Sequence, residues 1–97
     1  MFSELRVAEL RARLHIVNAL GLHARAAAKL AECASQFKSR ITLAHGDECV
    51  DATGVMGLLL LCAHHDAWVD VHACGEDAHQ AIDALRELFA AKFGELA

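Results

Sequence analysis

Alternation of apolar and polar residues marks four short stretches of the chain as strands. The stretches are residues 13–17, 39–44, 48–51 and 68–73. Ile41 and Leu43 stand two positions apart and would face a core together, because successive side chains of a strand point to opposite sides. Residues 45–47, His-Gly-Asp, predict a tight turn that joins the second and third strands into a hairpin.

Three further stretches carry apolar residues at the spacing of a helix. Residues 24–37 predict the first helix and residues 54–61 a second helix of two turns. A third starts at Glu76 and Asp77, whose charges suit the positive end of the helix dipole, and Gly94 is expected to end it. The predicted buried faces consist of Ala27, Leu30, Ala31, Ala34 and Phe37 on the first helix and Ala78, Ala81, Ile82, Leu85, Leu88 and Phe89 on the third.

The resulting order, βαββαβα, predicts an α+β open-faced sandwich. Neighbouring strands form hairpins, and three helices need a surface to cover, so a four-stranded antiparallel sheet with the helices on one face is consistent with the pattern. The 97 residues allow one core, so we expect a single domain over residues 1–97. Residues 1–10 are interpreted as an N-terminal extension, without the apolar block of a signal peptide.

Composition narrows the classes of function. The net charge of −4 argues against nucleic acid, because phosphate backbones bind to basic surfaces. The longest uncharged apolar run, residues 55–63, is too short for membrane insertion. The four cysteines, Cys33, Cys49, Cys62 and Cys74, form no Cys-x-x-Cys pair, which predicts reduced, mostly buried thiols in a cytoplasmic protein.

The chemistry-bearing stretch is residues 18–30, Asn-Ala-Leu-Gly-Leu-His-Ala-Arg-Ala-Ala-Ala-Lys-Leu. His23 stands directly before the first helix, where free backbone N–H groups and the helix dipole attract an anion. Those N–H groups belong to Ala24, Arg25 and Ala26, and the Arg25 guanidinium can fork onto phosphate oxygens. From these residues alone two interpretations stay open: His23 accepts a phosphoryl group, or it only caps the helix.

Residues 21–25, Gly-Leu-His-Ala-Arg, resemble the active-site signature of the histidine-containing phosphocarrier (HPr) family. Residues 50–61 are similar to the second signature of that family, around Lys-Ser-Ile-Met-Gly-Leu. Residues 74–78 and the closing Leu-Phe and Lys-Phe-Gly-Glu resemble its last strand and helix. The resemblance runs from about residue 13 to residue 95, and the family has the βαββαβα sandwich.

The resemblance implies a phosphocarrier that needs no cofactor and is not a stand-alone catalyst. His23 would be the phosphoacceptor, through its Nδ1 nitrogen, and Arg25 would stabilise the phosphate. The donor would be Enzyme I, itself phosphorylated from phosphoenolpyruvate. The acceptors would be sugar-specific permease components or regulatory proteins.

Two residues depart from the family pattern. Ala26 stands where the family usually has proline. We expect the loss of rigidity to lower the free energy of unfolding by only about 0.4–1 kcal/mol. Gly54 occupies the position of the serine that a dedicated kinase phosphorylates in many members, so that switch cannot operate here. Thr53 is adjacent and is a candidate for modification instead.

An apolar patch near His23 is expected to dock partners. A two-turn helix cannot bury every side chain of residues 55–61, so part of that stretch should be exposed and bind proteins. The residues assigned to the patch are Leu22, Val55, Met56, Leu58 and Leu59.

Two alternatives to carriage remain. The first is a regulatory paralogue of the nitrogen-type branch, which would bind partners according to the phosphorylation of His23. The second is a small metal-binding or structural domain, but its candidate ligands match no zinc spacing, so no metal is predicted. Those candidate ligands are Cys62, His64, His65, His72, Cys74 and His79.

Overall fold

The structure of the protein, a computed structural model, describes residues 8–97. It contains four strands and three helices in the predicted order βαββαβα. These are β1 Ala8–His15, α1 Ala24–Ala34, β2 Arg40–His45, β3 Glu48–Asp51, α2 Val55–Leu60, β4 Trp68–Gly75 and α3 Ala78–Ala90. One 3-10 turn, Lys92–Gly94, follows α3.

The four strands form one antiparallel sheet in the order β1-β4-β2-β3. Strand β4 lies inside the sheet and pairs with β1 from Gly75, opposite Ala8, to Trp68, opposite His15. On its other side β4 pairs with β2, and β2 continues into β3 through the predicted hairpin.

The helices cover one face of this sheet, which confirms the predicted open-faced sandwich. Ile41 and Leu43 of β2 are buried, as are Val69 and Val71 of β4. Helix α3 packs on β1 and β4, and α1 packs on α2 and α3. The other face of the sheet carries mostly polar and charged side chains, with the exposed Trp68 among them.

Strand β1 begins at Ala8, so the prediction that it begins at residue 13 is wrong. Residues 8–10, which were assigned to the N-terminal extension, belong to this strand. Residues 8–14 alternate apolar with charged side chains, a strand pattern that the interpretation as an extension overlooked. Residues 1–7 of the proposed extension lie outside the described residues. His15, which interrupts the apolar pattern, faces the uncovered side and stacks on Trp68 with ring centroids 4.3 Å apart.

Helix α1 ends at Ala34, three residues before the predicted end. The Ser35 hydroxyl donates to the Ala31 carbonyl oxygen at 2.7 Å, and a bond that spans only three residues, from Phe37 N to Ala34 O, follows at 3.3 Å. The chain therefore turns away in tight i to i+3 bonds rather than continuing as a helix.

Helix α3 begins at Ala78, after both predicted acidic residues. The Asp77 side chain does not cap α3. It instead accepts the N–H groups of Lys38 and Ser39, each at 2.8 Å, and the Ser39 hydroxyl. Asp77 thus joins the start of α3 to the entry of β2. Gly94 does not end α3 either, because the helix finishes at Ala90.

All four cysteines are free thiols. Cys49 and Cys62 are exposed, whereas Cys33 and Cys74 are half-buried, so the expectation of mostly buried thiols is wrong. Partial burial, together with the charge of Glu32, raises the pKa of Cys33.

Candidate functional site

A tight loop precedes α1, and the segment after α2 holds it in place. Gly21 has φ +71°, and a Cβ there would lie 2.9 Å from both the Ala63 carbonyl oxygen and His64 Cα. Leu22 donates its N–H to the same Ala63 oxygen at 2.9 Å. Glycine alone suits both this backbone conformation and this close approach.

His23 is the N-cap residue of α1 and has an extended backbone. Its carbonyl oxygen accepts the N–H of Ala27 at 2.7 Å, which is the first bond of the helix. Its Nδ1 accepts the N–H of Arg25 at 3.3 Å, a cap contact between side chain and backbone. The imidazole is therefore held at the helix start while 29% of the side chain is exposed.

The first turn of α1 favours an anion. The N–H groups of Ala24, Arg25 and Ala26 have no acceptor within the helix, because its first bond goes to Ala27. No acidic side chain lies in this turn. The Arg25 side chain is exposed and, among residues 8–97, joins no ion pair. A phosphoryl group next to His23 would meet both kinds of donor.

A carboxylate that the sequence analysis did not single out completes the site. Glu95 Oε2 makes a short contact with His23 Nε2. Glu95 Oε1 accepts the Asn18 side-chain amide at 2.9 Å. Asn18 is fully buried and also donates to the Gly21 carbonyl oxygen at 2.8 Å. Periodicity carries no signal that residue 95 reaches back to residue 23, so only the three-dimensional fold reveals the pair.

Residues 92–97, here named the strap, carry Glu95 to the histidine. The three residues Lys92–Gly94 have positive φ of 57°, 54° and 82°, and the first two are not glycine, which stores backbone strain. Packing compensates, because Phe93 is fully buried and its ring lies 4.9 Å from that of Phe89. The Lys29 ammonium donates to the Phe93 carbonyl oxygen at 2.8 Å.

The Glu95 carboxyl is held in its ionised form. Burial raises its pKa, but hydrogen bonds from Asn18 and His23 outweigh burial, and the charges of His23 and Lys29 add to them. The pKa of Glu95 therefore lies below its usual value. An ionised carboxylate offers only acceptors to its neighbours.

The apolar patch near α2 differs from the predicted one. Leu22 and Leu58 are buried, at 6% and 0% exposure, so their assignment to an exposed docking patch is wrong: Leu22 packs under the loop and Leu58 on the inner side of α2. Met56 is 74% exposed, and Val55 and Leu59 are half-buried. Sequence reasoning missed Leu20 and Leu60, which are 71% and 66% exposed.

The start of α2 lacks a side-chain cap. Gly54 is its N-cap residue and offers no hydroxyl. The adjacent Thr53 is exposed, and both its N–H, at 2.8 Å, and its hydroxyl donate to Asp51 Oδ1. These bonds lower the pKa of Asp51.

The other histidines are dispersed. His45 Nδ1 lies 2.9 Å from the Leu61 carbonyl oxygen, and His72 Nε2 lies 3.0 Å from Glu9 Oε2. Within residues 8–97 no three histidine, cysteine or acidic side chains converge as metal ligands. No helix in this part of the chain has the length and apolar character to cross a bilayer.

Fold and site together define a class of protein: a small open-faced sandwich that presents a histidine at the start of its first helix. Residues 10–91 match the family model described as "PTS HPr component phosphorylation site". The chain belongs to this HPr family of phosphocarriers of the bacterial phosphotransferase system. The resemblance found in its sequence motifs is thereby confirmed.

Relatives with established names support the same family. The chain is 45% identical to a phosphocarrier protein HPr of Xylella fastidiosa over 82 residues, which cover 84% of this chain and 92% of that protein. It is 42% identical to a phosphocarrier protein NPr of Shewanella violacea over 87 residues, 90% of this chain and 96% of the relative. An HPr crystal structure from Thermoanaerobacter tengcongensis superimposes with a TM-score of 0.87 at 36% identity, covering 91% of this chain and 99% of that one.

Proposed function

We propose that the protein carries a phosphoryl group on His23, which it accepts from phosphorylated Enzyme I and passes to a permease component or a regulatory protein. The observation that carries the proposal is the placement of His23 as the N-cap of α1, beside the N–H groups of the first turn. Membership of the HPr family supports it. The protein would act in the cytoplasm, where it would meet Enzyme I.

The transfer needs little from the protein beyond positioning and charge compensation. Phosphoryl oxygens bound to His23 would accept from the N–H groups of Ala24, Arg25 and Ala26. Because residue 26 is alanine rather than the usual proline of the family, its N–H is retained as a third donor. The Arg25 guanidinium would neutralise charge from the solvent side.

A direct phosphorylation assay tests this role. Incubation with Enzyme I and phosphoenolpyruvate should add one acid-labile phosphate, seen by intact mass and lost on mild acid treatment. His23→Ala should abolish the label, while His79→Ala, which removes an exposed histidine of α3, should keep it. Wild-type protein without the label would refute carriage.

Partner docking is assigned to the patch of Val55, Met56 and Leu59. Met56 is the most exposed of these side chains, and apolar side chains beside a reactive group commonly anchor partners. Met56→Glu should slow transfer from Enzyme I about tenfold or more. Gln80→Glu adds the same charge at an exposed position of α3 and should leave the rate unchanged. Equal rates for both variants would remove docking from this patch.

A second candidate is a regulatory role in the nitrogen-type branch. Two observations favour it: Gly54 leaves no hydroxyl at the start of α2, and one relative is named NPr. Such a protein would meet its targets according to the state of His23. Capture of targets by phosphorylated and unphosphorylated protein in parallel separates this role from simple carriage, because a regulator retains a target that accepts no phosphate.

A further inference from the structure

We propose that Glu95 is a positioning residue: through the strap it holds the hydrogen of His23 on Nε2, so that Nδ1 keeps the lone pair that attacks phosphorus. This inference rests on the phosphocarrier function proposed above and adds to it a role for Glu95, a residue of the closing Lys-Phe-Gly-Glu stretch to which the sequence analysis assigned no function. It follows from what each ring nitrogen of His23 contacts.

The contact at Nε2 requires a donor on the ring. Glu95 Oε2 faces Nε2, and the other carboxylate oxygen already accepts the Asn18 amide at 2.9 Å. The hydrogen bond from Asn18 favours the ionised carboxyl, in agreement with the lowered pKa of Glu95, and an ionised carboxylate can only accept at Oε2. Nε2 must therefore carry hydrogen.

The contact at Nδ1 requires an acceptor on the ring. A backbone N–H can only donate, and that of Arg25 points at Nδ1 from 3.3 Å. Nδ1 therefore presents a lone pair. The two neighbours select the same tautomer from opposite sides of the ring, and neither contact would survive in the other tautomer.

The pair is placed where such a contact is strong. The Glu95 side chain is 13% exposed and that of His23 is 29% exposed, so water screens the pair less than it would on an open surface. The Asn18 amide holds the Glu95 carboxylate in place. A second hydrogen bond holds the strap, because Ala19 N donates to Ala97 O at 2.7 Å. The nearby cation of Lys29, on α1, helps to lower the pKa of Glu95.

The phosphoryl step balances with this arrangement. The Nδ1 lone pair gives up its contact with the Arg25 N–H and forms the N–P bond, which frees that N–H for a phosphoryl oxygen. The bond between phosphorus and the donor breaks with its electron pair leaving on the donor. The imidazole becomes a cation that keeps its Nε2–H, and the Glu95 carboxylate balances the new charge. Onward transfer reverses these changes, so no proton needs to leave the site in either direction.

The test follows the Nε2–H hydrogen by NMR on unphosphorylated protein with labelled histidine. In wild type the Nε2–H signal of His23 should exchange slowly with water, and the two ring nitrogens should have well-separated shifts. Glu95→Ala should speed that exchange about tenfold or more, the order expected for loss of one charge-assisted hydrogen bond. Glu95→Gln keeps an acceptor oxygen and should restore most of the protection.

Phosphotransfer supplies the second readout. Glu95→Gln retains the shape but not the charge, so transfer from Enzyme I should slow about tenfold while thermal unfolding stays near wild type. Glu87→Gln makes the same exchange at an exposed position of α3 and should change neither readout. The proposal is overturned if Glu95→Ala leaves both Nε2–H exchange and transfer at wild-type values.

Failure of the proposed function would look different. If wild-type protein takes no phosphate from Enzyme I, carriage is refuted, and with it the assignment of Nδ1 as acceptor. The Nε2–H measurement uses no donor, so it still supports or contradicts the hold of Glu95 on the ring.

Discussion

The starts of α1 and α2 are built in opposite ways. At α1 the cap residue is a histidine whose two ring nitrogens both have partners, and the loop before it is fixed by Gly21. At α2 the cap residue is Gly54, without a side-chain bond, and a Cβ there would meet only the Asp51 carbonyl oxygen, at 3.9 Å.

This difference indicates that the start of α1 is a built site, whereas the start of α2 is an open surface. Three distant segments converge on the start of α1: the loop with Asn18, the segment after α2 with Ala63, and the strap with Glu95. The start of α2 relies on the local contact between Asp51 and Thr53 and presents exposed Met56. We infer that the first start is organised for chemistry and the second for contact with partners.

The largest effect is expected from Gly21→Ala. Its φ of +71° and the clash of a Cβ with Ala63 and His64 backbone atoms should cost about 3 kcal/mol of unfolding free energy. Urea unfolding measures the loss. Gly46→Ala, with φ +61° but open space, isolates the conformational part and should cost about 1 kcal/mol. Equal losses would mean that the close approach to Ala63 does not constrain the loop.

A smaller effect is expected from Arg25→Ala, on transfer rather than on folding. Loss of one charged donor to phosphate should slow phosphorylation of His23 about 10- to 100-fold, with stability almost unchanged because the side chain is exposed. Arg86→Ala removes an exposed arginine of α3 and serves as the control. A rate equal to that control would show that the guanidinium does not reach the phosphoryl group.

Acid should loosen the strap before it unfolds the sheet. The folded-state pKa of Glu95 is lowered, so its contribution is complete above the ordinary carboxyl pKa and is lost as pH falls through the lowered value. The Ala19 amide bonds to Ala97. Its protection from hydrogen exchange, relative to the intrinsic rate of a free amide at the same pH, should fall in that acidic window. Glu95→Gln should abolish the pH dependence of this amide. If the dependence persists in that variant, another carboxyl controls the strap.

The smallest effect is expected from Gly54→Ser, which gives α2 the cap that α1 already has. Space is available, and a serine cap should add a few tenths of a kcal/mol to stability. Thermal unfolding measures the gain, and phosphorylation of His23 should be unaffected. A loss of stability would show that the uncapped start of α2 depends on the freedom of glycine.

The sequence predicted the sheet, the helices and the position of His23, because alternation and helical spacing are local signals. Ile41 and Leu43 lie buried as their spacing required. The start of β1 was placed too late although apolar and charged residues alternate from Ala8 to Leu14, so this error had no physical cause in the sequence. Asp77 was misjudged because its partners, Lys38 and Ser39, come from another element.

Glu95 marks the limit of sequence reasoning about the site. Its role depends on a reversal of the chain at Lys92 and Phe93, two residue types that seldom adopt positive φ. The family resemblance implied the roles of His23 and Arg25 from adjacent letters, whereas a contact between residues 23 and 95 has no local signature. The buried state of Leu58 was equally hidden, because a short apolar helix shows no period that separates its inner side from its outer side.

The contact of His23 with Glu95 spans 72 positions of the chain. During synthesis the histidine and its helix leave the ribosome well before the carboxylate does, and closing so long a loop is a late and slow event in folding. A nascent or truncated chain can therefore possess a complete sequence signature without a complete site. On the proposed function, phosphorylation of His23 would then report that the strap, residues 92–97, has folded onto the start of α1.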